Sequence, residues 1–240
     1  MRFECFTRTH VGCRRKINED ATLFRPDLGL WAVADGMGGH HAGEVASALV
    51  TELLGSAGGE ASLASRVAAA HHALQDANRQ LQAMASGSGR SRTIGSTVVV
   101  LASDRHAFTC LWAGDSRAYL VREGALKQLT HDHSLVQQLV DVGDLDQAAA
   151  SNHPNANIIT RAVGAAPELD VDTASGDVKP GDVFFLTSDG VTRLLSDGEL
   201  LELLSAEDLN AAADRMVDTC LARKAPDNLT FVMLKACTSR

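Results

Sequence analysis

The stretch STVVVLASDRHAFTCLWAGDSRAYLVR, residues 96–122, decides the fold class. It holds three apolar runs, 96–102, 107–113 and 117–122, rich in β-branched or aromatic residues and separated by only four and three residues. Breaks that short leave no room for crossover helices, so the runs read as an antiparallel meander rather than as βαβ units. Toward the N-terminus, strand-like runs occupy 3–11 and 30–35, the latter (LWAVAD) running into a glycine-rich turn. Helical periodicity follows at 42–54 and 62–84, with GSAGGEA (55–61) between them and SGSGRSR (86–92) as a second break. Toward the C-terminus, 130–165 is irregular apart from one short amphipathic helix in SLVQQLVDVG (134–143). Strands at 168–175 and 182–188, helices at 197–204 and 206–223, and a last strand at 229–235 complete the chain. The order β, αα, βββ, irregular, ββ, αα, β predicts an α+β fold. Its centre is a β-sandwich of two mainly antiparallel sheets, flanked by helix pairs in α-β-β-α layers.

Composition narrows the function classes. Apolar residues make up 45% of the 240, enough for a sizeable core, and aromatics only 4%, so that core is built mainly of Ala, Val and Leu. With 22 basic against 30 acidic residues the formal charge is −8, which argues against nucleic acid as the main ligand. No basic amphipathic helix suggests a membrane surface, and no apolar run approaches the ~20 residues of a membrane span. The cysteines (5, 13, 110, 220 and 237) are odd in number and contain no C-x-x-C pair, which argues against a disulfide framework or structural zinc. The expectation is a cytoplasmic, monomeric protein.

Aspartates then stand out by position. Three apolar strands end in Asp beside Gly or Ser: WAVADG (Asp35), LWAGDS (Asp115) and FFLTSDG (Asp189). Asp227 immediately precedes the closing strand in DNLTFV, and Asp20 sits in NEDA beside Glu19. Any one Asp-Gly, taken singly, reads first as a tight turn. Several carboxylates at a common rim would repel one another, and a hard divalent cation with oxygen ligands, Mg²⁺ or Mn²⁺, removes that penalty. No thiolates or paired imidazoles accompany them, which disfavours zinc.

The residues around these aspartates match a known family. GCRRKINEDA (12–21), VADGMGGHHAGEVAS (33–47), GDSRAYL (114–120), HPNANIITRAVG (153–164), LTSDGV (186–191) and DNLTFV (227–232) occur in one order. Together they resemble the metal-dependent protein phosphatases, the type 2C serine/threonine phosphatases, in their bacterial single-domain form. The resemblance implies one phosphatase domain over 1–240 with a flap at about 130–165. It implies that Asp20, Asp35, Asp189 and Asp227 hold two Mn²⁺ or Mg²⁺ ions, with the Gly36 carbonyl as a further ligand and Glu19 acting through water. The ions, about 3.5–4 Å apart in such centres, would lower the pKa of a bridging water. The resulting hydroxide would attack the phosphorus of phosphoserine or phosphothreonine. Arg15 matches the phosphate-binding arginine. Asp115 matches an aspartate that shares a third, weaker ion with Asp189; otherwise it is a turn residue orienting Arg117.

One position departs from the eukaryotic members, which carry His two residues after the Asp-Gly aspartate. Here Met37 stands there, leaving metal-bound water, His40 or His153 as candidates for the leaving-group acid. The partners implied are phosphorylated proteins and a eukaryotic-like Ser/Thr kinase, to be sought at a secretion-system switch. GDSR at 114–117 also resembles a serine-hydrolase nucleophile motif, but that class expects an early Ser and a late Asp-x-x-His. The remaining alternative is a catalytically weak relative that binds phosphoproteins as a regulator, for which loss of a metal-binding aspartate is expected.

Overall fold

A computed structural model describes residues 1–38, 41–57, 62–87, 94–104, 106–150 and 153–238. The strands are β1 (Arg2–His10), β2 (Asp20–Arg25), β3 (Leu30–Met37), β4 (Gly95–Ser96), β5 (Val98–Ser103), β6 (Ala107–Ala113), β7 (Arg117–Arg122), β8 (Ala125–Gln128), β9 (Asp172–Asp177), β10 (Val183–Thr187) and β11 (Leu229–Cys237). The helices are α1 (Ala42–Ser56), α2 (Leu63–Gly87), α3 (Leu135–Asp141), α4 (Gln147–Ala150), α5 (Asp189–Thr192), α6 (Asp197–Leu204) and α7 (Leu209–Ala222).

Continuous apolar runs become strands buried on both faces, and residue parity assigns each side chain to a layer. In β5, Val98, Val100 and Ala102 join Val50, Leu54, Leu74 and Leu81 under α1 and α2. Val99 and Leu101 point the other way, into the layer between the sheets with Trp31, Phe184 and Val232. In β11 the same alternation sends Leu229, Phe231 and Met233 toward Leu200, Leu204 and Met216 of α6 and α7. Phe184 anchors the central layer, edge-on to Phe108 with ring centroids 4.9 Å apart. One sheet has the order β1-β11-β10-β7-β8, the other β2-β3-β5-β6-β9 with β4 also on β3, and the recorded strand pairs are antiparallel. The predicted α-β-β-α layering holds.

The meander does not. β5 and β6 pair, but β7 leaves for the other sheet, where it lies between β10 and β8. The switch falls at Gly114, whose φ of +120° is a conformation L side chains rarely adopt. A Cβ there would lie 2.5 Å from the Thr97 Cβ, so the turn also needs the missing side chain. Two strands went unread: β2, which opens on Asp20, and the four-residue β8. β9 begins at Asp172 rather than 168 and is a polar edge strand of sequence DTASGD. Among the described residues, no helix is long and apolar enough to cross a membrane.

Because Gly114 carries the chain between the sheets, Gly114→Ala should destabilise the protein by about 3 kcal/mol, from backbone strain and a clash with Thr97. Urea denaturation reads this as a lower midpoint at unchanged m; an unchanged midpoint would contradict it.

Candidate metal centre

Pairing of β2 with β3 sets Asp20 directly opposite Asp35. Cross-strand neighbours share a face, so two carboxylates are held side by side, an arrangement that destabilises a sheet unless something compensates it. The remaining acids converge from other elements. Asp189 opens the single turn of α5 at the end of β10, and Asp227 precedes β11, the strand that pairs with β10. Asp115 is buried in the crossover between β6 and β7.

The backbone around these groups is tied down and cannot splay. Asp35 N–H donates to Thr97 Oγ1 (3.3 Å), and the Asp35 carbonyl accepts from Thr97 N–H (2.8 Å) and Ser96 Oγ (3.0 Å). The Glu19 carbonyl accepts from Gly36 N–H (3.0 Å) and Ser47 Oγ (2.6 Å). Gly36 admits no side chain, because a Cβ there would lie 1.9 Å from the Gly43 carbonyl oxygen. Asn228 is buried and spans the site: its Oδ1 accepts from Glu19 N–H (2.9 Å), while Nδ2 donates to Val11 O (2.9 Å) and Ile17 O (3.1 Å). Asn228 thereby fixes the loop bearing Arg15, Glu19 and Asp20. It was quoted in DNLTFV without a role, and its only sequence signal is an amide beside an aspartate.

The carboxyl groups are crowded by protein, although Asp20, Asp35 and Asp189 keep partial exposure at the cleft mouth. Desolvation, then the neighbouring Asp189 and Asp227 charges, raise the Asp20 pKa to about 6 against hydrogen bonds that favour its charged form. Asp35 is pushed well above the usual carboxylate range by desolvation and then by Asp20. Asp115 rises to about 7, again from desolvation first and Asp189 second. Asp189 is raised by desolvation, an effect opposed by Arg193. Ser188 Oγ donates to Asp20 Oδ2 (2.9 Å), whereas the buried Asp20 Oδ1 has no hydrogen-bond partner. A hard cation suits such an orphaned anionic oxygen.

Two arginines border the cleft. Arg15 Nη2 lies 2.9 Å from Asp227 Oδ2, and Nη1 lies 3.8 Å from Glu19 Oε2. Arg193, which the sequence reading passed over, places Nη2 2.6 Å from Asp189 Oδ2 and bonds Asn157 Oδ1 through Nη1. The sequence signal was the i,i+4 spacing of Asp189 and Arg193. With Asp227 and Asp189 drawn onto arginines, the described residues contain no ready-made group of three ligands. Asp115 does not orient Arg117. That guanidinium instead forks onto Asp132, Nε to Oδ1 at 2.9 Å and Nη2 to Oδ2 at 2.7 Å.

A cavity of about 180 Å³, bordered by Asp115, Asp189, Arg193, Gln137 and Asn157, separates this side of the site from α3 and the 153–164 loop. His153 does not line it; its Nδ1 accepts from Asn155 N–H (3.2 Å). His40 lies outside the described residues. His133 accepts from Gly114 N–H through Nδ1 (3.1 Å) and its Nε2 meets Asp172 (3.2 Å), so it supports the crossover.

Carboxylates with raised pKa values favour the metal-free fold while protonated. That contribution is complete below about pH 4 and is lost as pH rises through 6 and 7. In chelator at pH 8, Asp20→Asn should therefore be more stable than the parent by on the order of 2–3 kcal/mol. Thermal unfolding should show the gap closing toward pH 4. A variant no more stable than the parent at pH 8 would contradict this electrostatic account.

A family model described as Protein phosphatase 2C matches residues 13–233. The chain is 33% identical to "Serine/threonine phosphatase stp" of Listeria welshimeri, over 95% of this chain and 94% of that one. A solved structure described as PppA, a key regulatory component of T6SS in Pseudomonas aeruginosa, superposes with a TM-score of 0.91 at 41% identity, covering 98% of each chain. The catalytic domain of the phosphatase PstP, described in complex with 2 manganese ions, superposes with a TM-score of 0.86 at 31% identity, covering 98% of this chain and 99% of that one. On the match across residues 13–233 and these likenesses, the chain belongs to the protein phosphatase 2C family.

Proposed function

We propose that this chain is a serine/threonine protein phosphatase, acting on phosphoserine and phosphothreonine at a centre of two Mn²⁺ or Mg²⁺ ions. The observation that carries this reading is the opposed Asp20–Asp35 pair with its unpartnered buried oxygen, in a family member whose relative PstP is described with two manganese ions. Asp20, Asp35, Asp189, Asp227 and the Gly36 carbonyl would hold the ions, with Glu19 reaching them through water. Bound there, the ions supply an activated water as nucleophile and offset charge on the phosphate oxygens.

The chain's own groups do the rest. Asp189 can serve the centre with one oxygen because Arg193 takes the other, Oδ2. Arg15 is exposed and fork-shaped, so it can exchange a carboxylate for substrate phosphate at the cleft mouth. Residues 130–165 form the flap of a single domain spanning 1–240. Their loops border the cavity beside the site and are suited to choosing among phosphoproteins. His153 lines no part of the described cavity and His40 lies outside the described residues, so water in the cleft and His40 stand ahead of His153 as the proton source for the leaving alcohol.

The likeness to PppA, described as a key regulatory component of T6SS, supports a regulatory role at such a system, and with it we propose that the chain opposes a Ser/Thr kinase in a bacterial cytoplasm. All the aspartates matched to the family are present, which favours an enzyme over a binding-only regulator.

Hydrolysis of an aryl phosphate should require Mn²⁺, stop in EDTA, and fall about 100-fold or more in Asp189→Asn. Activity that survives EDTA or the substitution would contradict the two-ion centre. A deletion strain whose Ser/Thr phosphosites all stay unchanged would contradict the kinase-opposing role.

A further inference from the structure

We infer that Arg193 takes the place of a third cation in this chain, its guanidinium closing the Asp115–Asp189 pair that a third divalent ion would otherwise bridge. The inference rests on the two-ion reading of the site.

Asp115 and Asp189 repel each other where water is scarce, and the pair needs a cation. Arg193 stands four residues after Asp189, one helical turn along. Its Nη2 lies 2.6 Å from Asp189 Oδ2 and 3.9 Å from Asp115 Oδ2, between the two carboxylates. Arg117, the other guanidinium nearby, is committed to Asp132 by two short bonds, 2.9 and 2.7 Å, and to the Tyr119 hydroxyl at 3.1 Å. Arg117 therefore reaches Asp189 only through its longer-range charge, and Arg193 is the guanidinium in ion-pair range of both carboxylates.

A divalent ion would have to approach these oxygens to about 2.0–2.6 Å, within the space the guanidinium fills, and would meet its positive charge. Nη1 is held as well, by Asn157 of the flap, so the guanidinium is pinned on both sides. The adjoining cavity of about 180 Å³ leaves room for an ion and its waters once the fork is shortened. One fixed charge thus ties the aspartate pair to the flap without depending on dissolved metal.

The test is the number of Mn²⁺ ions bound per chain, by equilibrium dialysis up to millimolar Mn²⁺ with folding checked by circular dichroism. The parent should bind two, and Asp115→Asn should also bind two. Arg193→Gln should gain a third, weak ion, and Arg193→Gln combined with Asp115→Asn should return to two. A parent that binds three, one of them lost in Asp115→Asn, would overturn the inference alone, as would a folded Arg193→Gln that still binds two. A parent that binds fewer than two overturns the two-ion reading and this inference together.

Discussion

Strand register forces Asp20 and Asp35 against each other, and the rest of the site is organised around that conflict. An antiparallel pair holds its facing Cβ atoms about 4.5–5.5 Å apart on one face, so rotamer changes relieve little of the repulsion. The two acids could relax only if the backbone moved, and hydrogen bonds from Thr97, Ser96, Gly36 and Ser47 hold it in place. Protons resolve the conflict at low pH. At neutral pH a divalent cation is the species that can do so without disturbing the fold.

That logic separates the groups that hold the frame from those that carry charge. Asn228 and Ser188 are neutral and buried; they fix the loop before β2 and one oxygen of Asp20. The guanidinium of Arg15 lies against Asp227 at the exposed end, and that of Arg193 against Asp189 on the flap side. Each arginine lies against two carboxylates, Arg15 against Asp227 and Glu19 and Arg193 against Asp189 and Asp115, while among the described residues the Asp20–Asp35 pair at the centre forms no ion pair. Neutral bonds fix the geometry, arginines offset the periphery, and the uncompensated centre is left for metal.

Much of this was legible in the chain alone. The apolar runs before Asp115 and Asp189 marked the ends of β6 and β10, whereas β3 continues past Asp35 to Met37; parity within β5 and β11 matches the layers in which their side chains pack. The sheet switch was not legible, because three residues suit a hairpin as well as a crossover. Only the φ of Gly114 and its contact with Thr97 distinguish the two. β2 was missed because its first half is polar, a consequence of opening on a site residue. Roles for Ser188 and Asn228, and the flap contact of Arg193, depend on partners 168 residues away for Ser188–Asp20, 209 for Asn228–Glu19 and 36 for Arg193–Asn157. Local pattern cannot show contacts of that range.

The central claim is that metal replaces protons held by crowded carboxylates, and calorimetry tests it directly. Mn²⁺ is titrated into the protein in buffers of different ionisation enthalpy, so that the heats report protons released per ion bound. With Asp20 near 6 and Asp35 pushed well above the usual carboxylate range, binding at pH 6 should release a substantial fraction of a proton, and the release should shrink as the pH is raised. Binding at pH 6 that releases no proton would contradict the account.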